Sequence, residues 1–74
     1  MNKEKKSFSA LIKEIRKQLE LSQEDLAREL GVSFATINRW ENGQTSPSKL
    51  AKKQFNDFVD QMTANGKLKL KEKN

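Results

Sequence analysis

Apolar residues in this chain recur at spacings of three and four, the period of one helical face, in successive short runs. Phe8, Leu11, Ile12, Ile15 and Leu19 form the first run, which Glu20-Leu21 breaks. Ser22 then fits a helix N-cap, with Asp25 three residues on in the manner of a capping box, and predicts a second helix from Gln23 to about Leu30. Ser33 can cap a third helix that runs to about Glu41, where Asn42-Gly43 stops it. After the loop Gln44-Thr45-Ser46, Pro47 suits the first position of a fourth helix, where its missing N–H does no harm. That helix carries Leu50, Ala51, Phe55, Phe58, Val59 and Met62 on one face and ends near Asn65-Gly66. The final KLKLKEKN alternates charge with leucine.

The stretch QEDLARELGVSFATINRWEN, Gln23 to Asn42, is the most specific part of the pattern. Two short amphipathic helices meet across a single Gly31, which accepts a positive φ where a side chain is strained. Ala27, four residues earlier, keeps the closest approach of the two helices free of bulk. Leu26, Leu30, Val32, Ile37 and Trp40 supply the apolar seam. This is the anatomy of a helix-turn-helix, a motif that places its second helix in the DNA major groove. The whole pattern predicts an all-α fold, a small bundle of four or five helices, with helices 2 and 3 forming the helix-turn-helix. The domain is expected over residues 7–65, between a flexible basic leader at 1–6 and a basic tail at 66–74.

Seventy-four residues, 34% apolar and 34% charged, allow one domain with a small core. The chain has no cysteine and no histidine, so neither a disulfide framework, a thiolate metal site nor imidazole chemistry is available. No apolar run approaches the roughly 18 residues of a membrane span. Glu24 and Asp25 are neighbours, but adjacent helical residues do not converge on one site, and no phosphate-binding glycine loop exists. No catalytic residue, cofactor, metal or small-molecule ligand is expected.

The net charge of +5 points to a polyanionic partner, yet its distribution is uneven. Residues 1–20 carry +3, residues 21–48 carry −2, residues 49–60 carry +1 and residues 61–74 carry +3. The reading element itself is not basic, so attraction to phosphate must come from its flanks.

On the third helix, Ile37 and Trp40 lie about 60° apart and fix the buried direction. Ala35 falls opposite, with Asn38 and Arg39 on either side, and Phe34 stands at the boundary. Arg39 can donate two hydrogen bonds to guanine, and Ala35 or Phe34 can touch a thymine methyl. For Asn38 and Arg39 the alternative is a solvated surface, and for Phe34 a partly buried core position.

The run LSQEDLARELGVS followed by INRWENG, with Pro47 beyond it, resembles the lambda-repressor/Cro-like helix-turn-helix domains, the XRE family. The resemblance covers roughly Ile12 to Val59. It implies a transcriptional regulator that reads double-stranded DNA, with base contacts from Ser33, Phe34, Ala35, Asn38 and Arg39. Phosphate contacts are implied for Gln23, Asn42, Gln44, Ser48 and Lys49. A structural set is implied in Arg16, Ala27, Gly31, Trp40 and Glu41, with Arg16 paired to Glu41. Family members bind two-fold operators as homodimers in the bacterial or phage-type cytoplasm, at the nucleoid. For dimerisation two surfaces are open: a fourth helix exposing part of Phe55, Phe58 and Met62, or a Lys67–Lys71 strand. A disordered basic arm is the alternative for that tail.

Two departures matter. Glu20 stands where the family usually has glycine, so the first turn must close at a modest cost. Phe34 and Ala35 stand where glutamine often reads adenine, so that readout is not carried over. An antitoxin-like or adaptor module that binds mainly protein is the competing function.

Overall fold

The computed structural model describes residues 7–68 as four helices in the order α1 (Phe8–Leu19), α2 (Gln23–Leu30), α3 (Phe34–Glu41) and α4 (Lys49–Ala64), with no strand among them. The leader at 1–6 and the strand or arm expected beyond Leu68 lie outside the described residues.

Each helix opens on a serine. Ser7, Ser22, Ser33 and Ser48 sit in extended backbone, and each hydroxyl oxygen accepts the N–H three residues on, from Ala10, Asp25, Thr36 and Ala51. Such a cap satisfies one of the unpaired N–H groups of the first turn and contributes about 1 kcal/mol. Ser22 adds the reciprocal half of a capping box, its own N–H donating to Asp25 Oδ2 at 3.2 Å. Pro47 therefore does not start α4. It lies one position before the Ser48 cap, because the Ser48 hydroxyl is the one that reaches the Ala51 N–H.

The helices also end alike. At Glu20, Gly31, Gly43 and Gly66 the chain turns into the left-handed region, and the following N–H groups fold back onto Arg16, Ala27, Arg39 and Met62 carbonyls. Glycine tolerates that geometry. Glu20, at φ 57°, is the one non-glycine residue among those described that adopts it.

α3 packs against both α1 and α2, and α4 closes against α2. Ile12, Ile15, Leu26, Ala27, Leu30, Ile37, Trp40, Phe55, Phe58 and Val59 form the core. Phe8 stands edge-on to Trp40 at 5.6 Å and to Phe55 at 5.1 Å between ring centroids, tying the start of α1 to α3 and α4. Offset and edge-on aromatic pairs add to stability beyond the area they bury.

Three expectations are corrected here. Phe55 and Phe58 are buried in the protein's own core, so they offer no dimer surface. Leu50 is 67% exposed, because it stands one residue off the stripe of Ala51, Phe55, Phe58 and Met62. Leu68 is 2% exposed and belongs to the core, so the packed unit continues past residue 65. The left-handed turn at Gly66 reverses the chain and brings Leu68 back onto the bundle.

One buried polar contact joins the first three helices. Glu41 is 5% exposed, and Arg16 grips its carboxylate at both oxygens, Nε to Oε2 at 2.7 Å and Nη2 to Oε1 at 2.9 Å. Arg16 Nη1 also donates to the Leu21 carbonyl at 3.2 Å, holding the turn after α1. Burial alone would raise the Glu41 pKa. The hydrogen bonds from Arg16 and Gln23, with the charges of Arg16 and Lys13, outweigh it and hold the carboxyl below its ordinary 4.5. Stability from that depressed pKa is fully present above the unfolded-state value and is lost as pH falls through the folded one.

Two predictions follow from these local devices. Glu20→Gly should raise stability by about 0.5–1 kcal/mol by relieving the left-handed residue, read as an upward shift of several degrees in thermal midpoint. An unchanged or lower midpoint would show that Glu20 is not strained. At the ion pair, Arg16→Met should cost about 3 kcal/mol, because it strands a buried carboxylate. Glu41→Gln should cost less, since Arg16 keeps some access to solvent, its side chain being 24% exposed. Urea midpoints for the native chain should stay level from about pH 7 to the ordinary carboxylate range and fall below it, a fall that is blunted in Glu41→Gln.

Candidate nucleic-acid interface

The outward face of α3 is set by what its inward face buries. Ile37 and Trp40 are inside, and Ala35 and Arg39 are exposed on the other side. The Arg39 guanidinium has no hydrogen-bond or ion-pair partner among the described residues, so its five donors face solvent. Phe34 is 49% exposed, which places it on the surface of the first turn rather than in the core.

Ser33 is exposed, but its oxygen is committed. It accepts the Thr36 N–H at 3.1 Å and lies 2.9 Å from the Thr36 hydroxyl. Asn38 is half-buried beside α2. The sequence pattern alone treats Asn38 as an independent surface residue; the structure couples it to Gln23, whose Nε2 lies 3.4 Å from Asn38 Oδ1.

Gln23 is engaged within the fold: its amide nitrogen donates to Glu41 Oε1 at 3.0 Å and faces Asn38 as well, so the side chain is turned inward toward α3. What α2 leaves outward at its start are the backbone N–H groups of Gln23 and Glu24, since the Asp25 and Leu26 N–H groups are taken by Ser22. That end is also acidic. Glu24 and Asp25 both lie in its first turn, and Asp25 is held below the usual carboxylate range by hydrogen bonds from Ser22.

The start of α4 is the electrostatic opposite. It has no acid in its first turn, and Lys49 and Lys52 are exposed there with Lys53 one step beyond. Ser48 accepts the Ala51 N–H with its oxygen at 3.2 Å, which leaves its hydroxyl proton available. Asn42 and Gln44 are exposed in the turn after α3, where the Gln44 N–H is tied back to the Arg39 carbonyl at 2.9 Å. A helix N-terminus with free N–H groups and adjacent lysines is suited to an anion. The sequence signal for this asymmetry was the placement of acids in one first turn and lysines in the other.

No helix of the described residues is long and apolar enough to cross a membrane, and no group of acidic residues among them could hold a metal ion.

Comparison with known proteins agrees with this geometry. A helix-turn-helix family model matches residues 12–51, which takes in most of α1, all of α2 and α3, and the start of α4. The chain is 49% identical over 46 residues to the type II methyltransferase M1.ScrFI of Lactococcus lactis subsp. cremoris, covering 58% of this chain and 12% of that protein. It is 40% identical over 57 residues to the type II methyltransferase M.SsoII of Shigella sonnei, covering 73% of this chain and 15% of that protein. The chain thus spans about an eighth of the length of these relatives, and the likeness does not extend to the rest of them. No solved structure matches the chain significantly. With more than half of its residues inside the family model, and with that model falling on the helices described above, the chain belongs to the XRE-type helix-turn-helix family.

Proposed function

We propose that this protein is a sequence-specific double-stranded DNA-binding transcriptional regulator, with α3 and its cap, Ser33 to Glu41, entering the major groove. The observation that carries this reading is the pairing of two surfaces on one fold. An outward α3 face presents the unpartnered Arg39 with Ala35 and Phe34. A lysine-bearing, acid-free helix start follows it in the chain. Arg39 is the principal polar reader, suited to a guanine edge, while Ala35 and Phe34 make methyl contacts. Ser33 contributes at most its hydroxyl proton, and Asn38 contributes through its amide. Phosphate affinity comes from Ser48 and Lys49 and from the Asn42–Gln44 turn, with α2 adding backbone N–H groups at Gln23.

The protein acts as a homodimer on a two-fold operator in the cytoplasm. A single element of this size binds weakly, and half-sites one turn apart match paired recognition helices. In the methyltransferase relatives the matched stretch is a small part of a larger protein.

The competing reading is an antitoxin-like or adaptor module. It draws on the −2 charge of residues 21–48 and on the two exposed large apolar residues, Phe34 and Leu50.

Selection from random duplex DNA at about 100–150 mM salt separates the two. A regulator should enrich a palindrome bound by two protomers, with affinity falling steeply as salt rises. Arg39→Ala should cost about 1–3 kcal/mol and relax preference at one base pair per half-site. Lys49→Ala should weaken all sequences alike and reduce the salt slope by about 1. Absence of any enriched sequence would favour the protein-binding module.

A further inference from the structure

The buried carboxylate of Glu41 dictates the orientation of two amides beyond it. A carboxylate only accepts, so the Gln23 group 3.0 Å from Glu41 Oε1 must be its nitrogen. That same nitrogen lies 3.4 Å from the Asn38 side chain and carries a second hydrogen, so Asn38 must turn its oxygen toward Gln23. Donor and acceptor therefore alternate along the row Glu41, Gln23, Asn38. The Asn38 Nδ2 is left at the open end, with no hydrogen bond among the described residues.

Bidentate recognition of adenine by asparagine needs both halves of the amide, the oxygen accepting from N6 and the nitrogen donating to N7. Here the oxygen is turned into the α2–α3 contact. We propose that Asn38 reads DNA as a donor only, selecting a base whose major-groove edge offers acceptors without an amino donor, guanine or thymine, over adenine, whose N7 acceptor stands beside the N6 donor, with Gln23 as the residue that positions it. This rests on the DNA-reading function proposed above and specifies its chemistry at one position.

The test uses the full chain and random-sequence duplex DNA. Selection with the wild type gives a preferred duplex, and selection with Asn38→Ala identifies the position whose preference depends on Asn38. Guanine or thymine is expected there, and single-base variants of the selected duplex tell the two apart. Adenine at that position should bind about 5-fold more weakly, the lower end of base discrimination, because its N6 amino group faces the Asn38 donor. Gln23→Met removes the positioning donor, so adenine should become tolerated at that position while preference at the Arg39-dependent position stays unchanged.

Adenine or cytosine at the Asn38-dependent position of the wild type overturns the proposal. So does a Gln23→Met protein that weakens every duplex equally with its base preference intact, the behaviour of a merely structural residue. If Asn38→Ala alters no position, the donor role is wrong while DNA reading stands. If the wild type enriches no sequence, DNA reading itself is wrong, and this proposal with it. Should Gln23→Met melt below the assay temperature, the wild-type base at the Asn38-dependent position decides alone.

Discussion

A negative charge buried at the C-terminal end of a helix is opposed twice, by desolvation and by the negative end of the helix dipole. Glu41 occupies that position, the last residue of α3. It remains charged because Arg16 from α1 meets both carboxylate oxygens and Gln23 from α2 donates to one of them. Three helices therefore converge on one group. Apolar burial is non-directional, whereas a two-point guanidinium–carboxylate contact fixes distance and angle together. The core of Ile12, Ile15, Leu26, Ile37 and Trp40 supplies the burial. The ion pair adds a directional contact among the three helices that share that core.

The helix ends supply the second constraint. With a serine hydroxyl at each start and a left-handed residue at each stop, the helix ends are marked by local contacts. Short elements need this. Eight-residue helices such as α2 and α3 are not stable alone, so defined ends reduce the number of ways the chain can pack. Glu20 is where the scheme is least favourable. The side chain there gives up some local stability, although the turn it makes is the same as at the glycines.

What the sequence made legible follows from that locality. The stretch from Gln23 to Asn42 is readable because its signals, Ser22 with Asp25, Ala27, Gly31 and Ser33, act within one turn of themselves. The Arg16–Glu41 pair came from family resemblance, since residues 25 apart carry no spacing signal. Other features were hidden because they are decided by three-dimensional neighbours. Two serines bracket Pro47, and only geometry shows that Ser48 is the cap. Leu50 and Ala51 both fit an apolar face by eye, yet the stripe selects Ala51 and leaves Leu50 exposed. Leu68 follows a glycine turn and is recruited to the core from what reads as a charged tail. Gln23 is the sharpest case. The residue type suits a phosphate, but a buried acceptor 18 residues away claims its amide.

That claim links the stability of the fold to its chemistry. Gln23 faces inward, and Glu24 and Asp25 make the start of α2 negative. The start of α4 is the reverse, with lysines in place of acids. In the proposed DNA-reading function, attraction and choice are thereby separated along the chain: charge after Pro47, selectivity between Ser33 and Arg39. The separation is not complete, however. Asn38 lies on the face proposed to read DNA while its oxygen belongs to the network centred on Glu41. A change made to tune the buried ion pair would therefore be transmitted, through two amides, to the outward surface of α3 at Asn38.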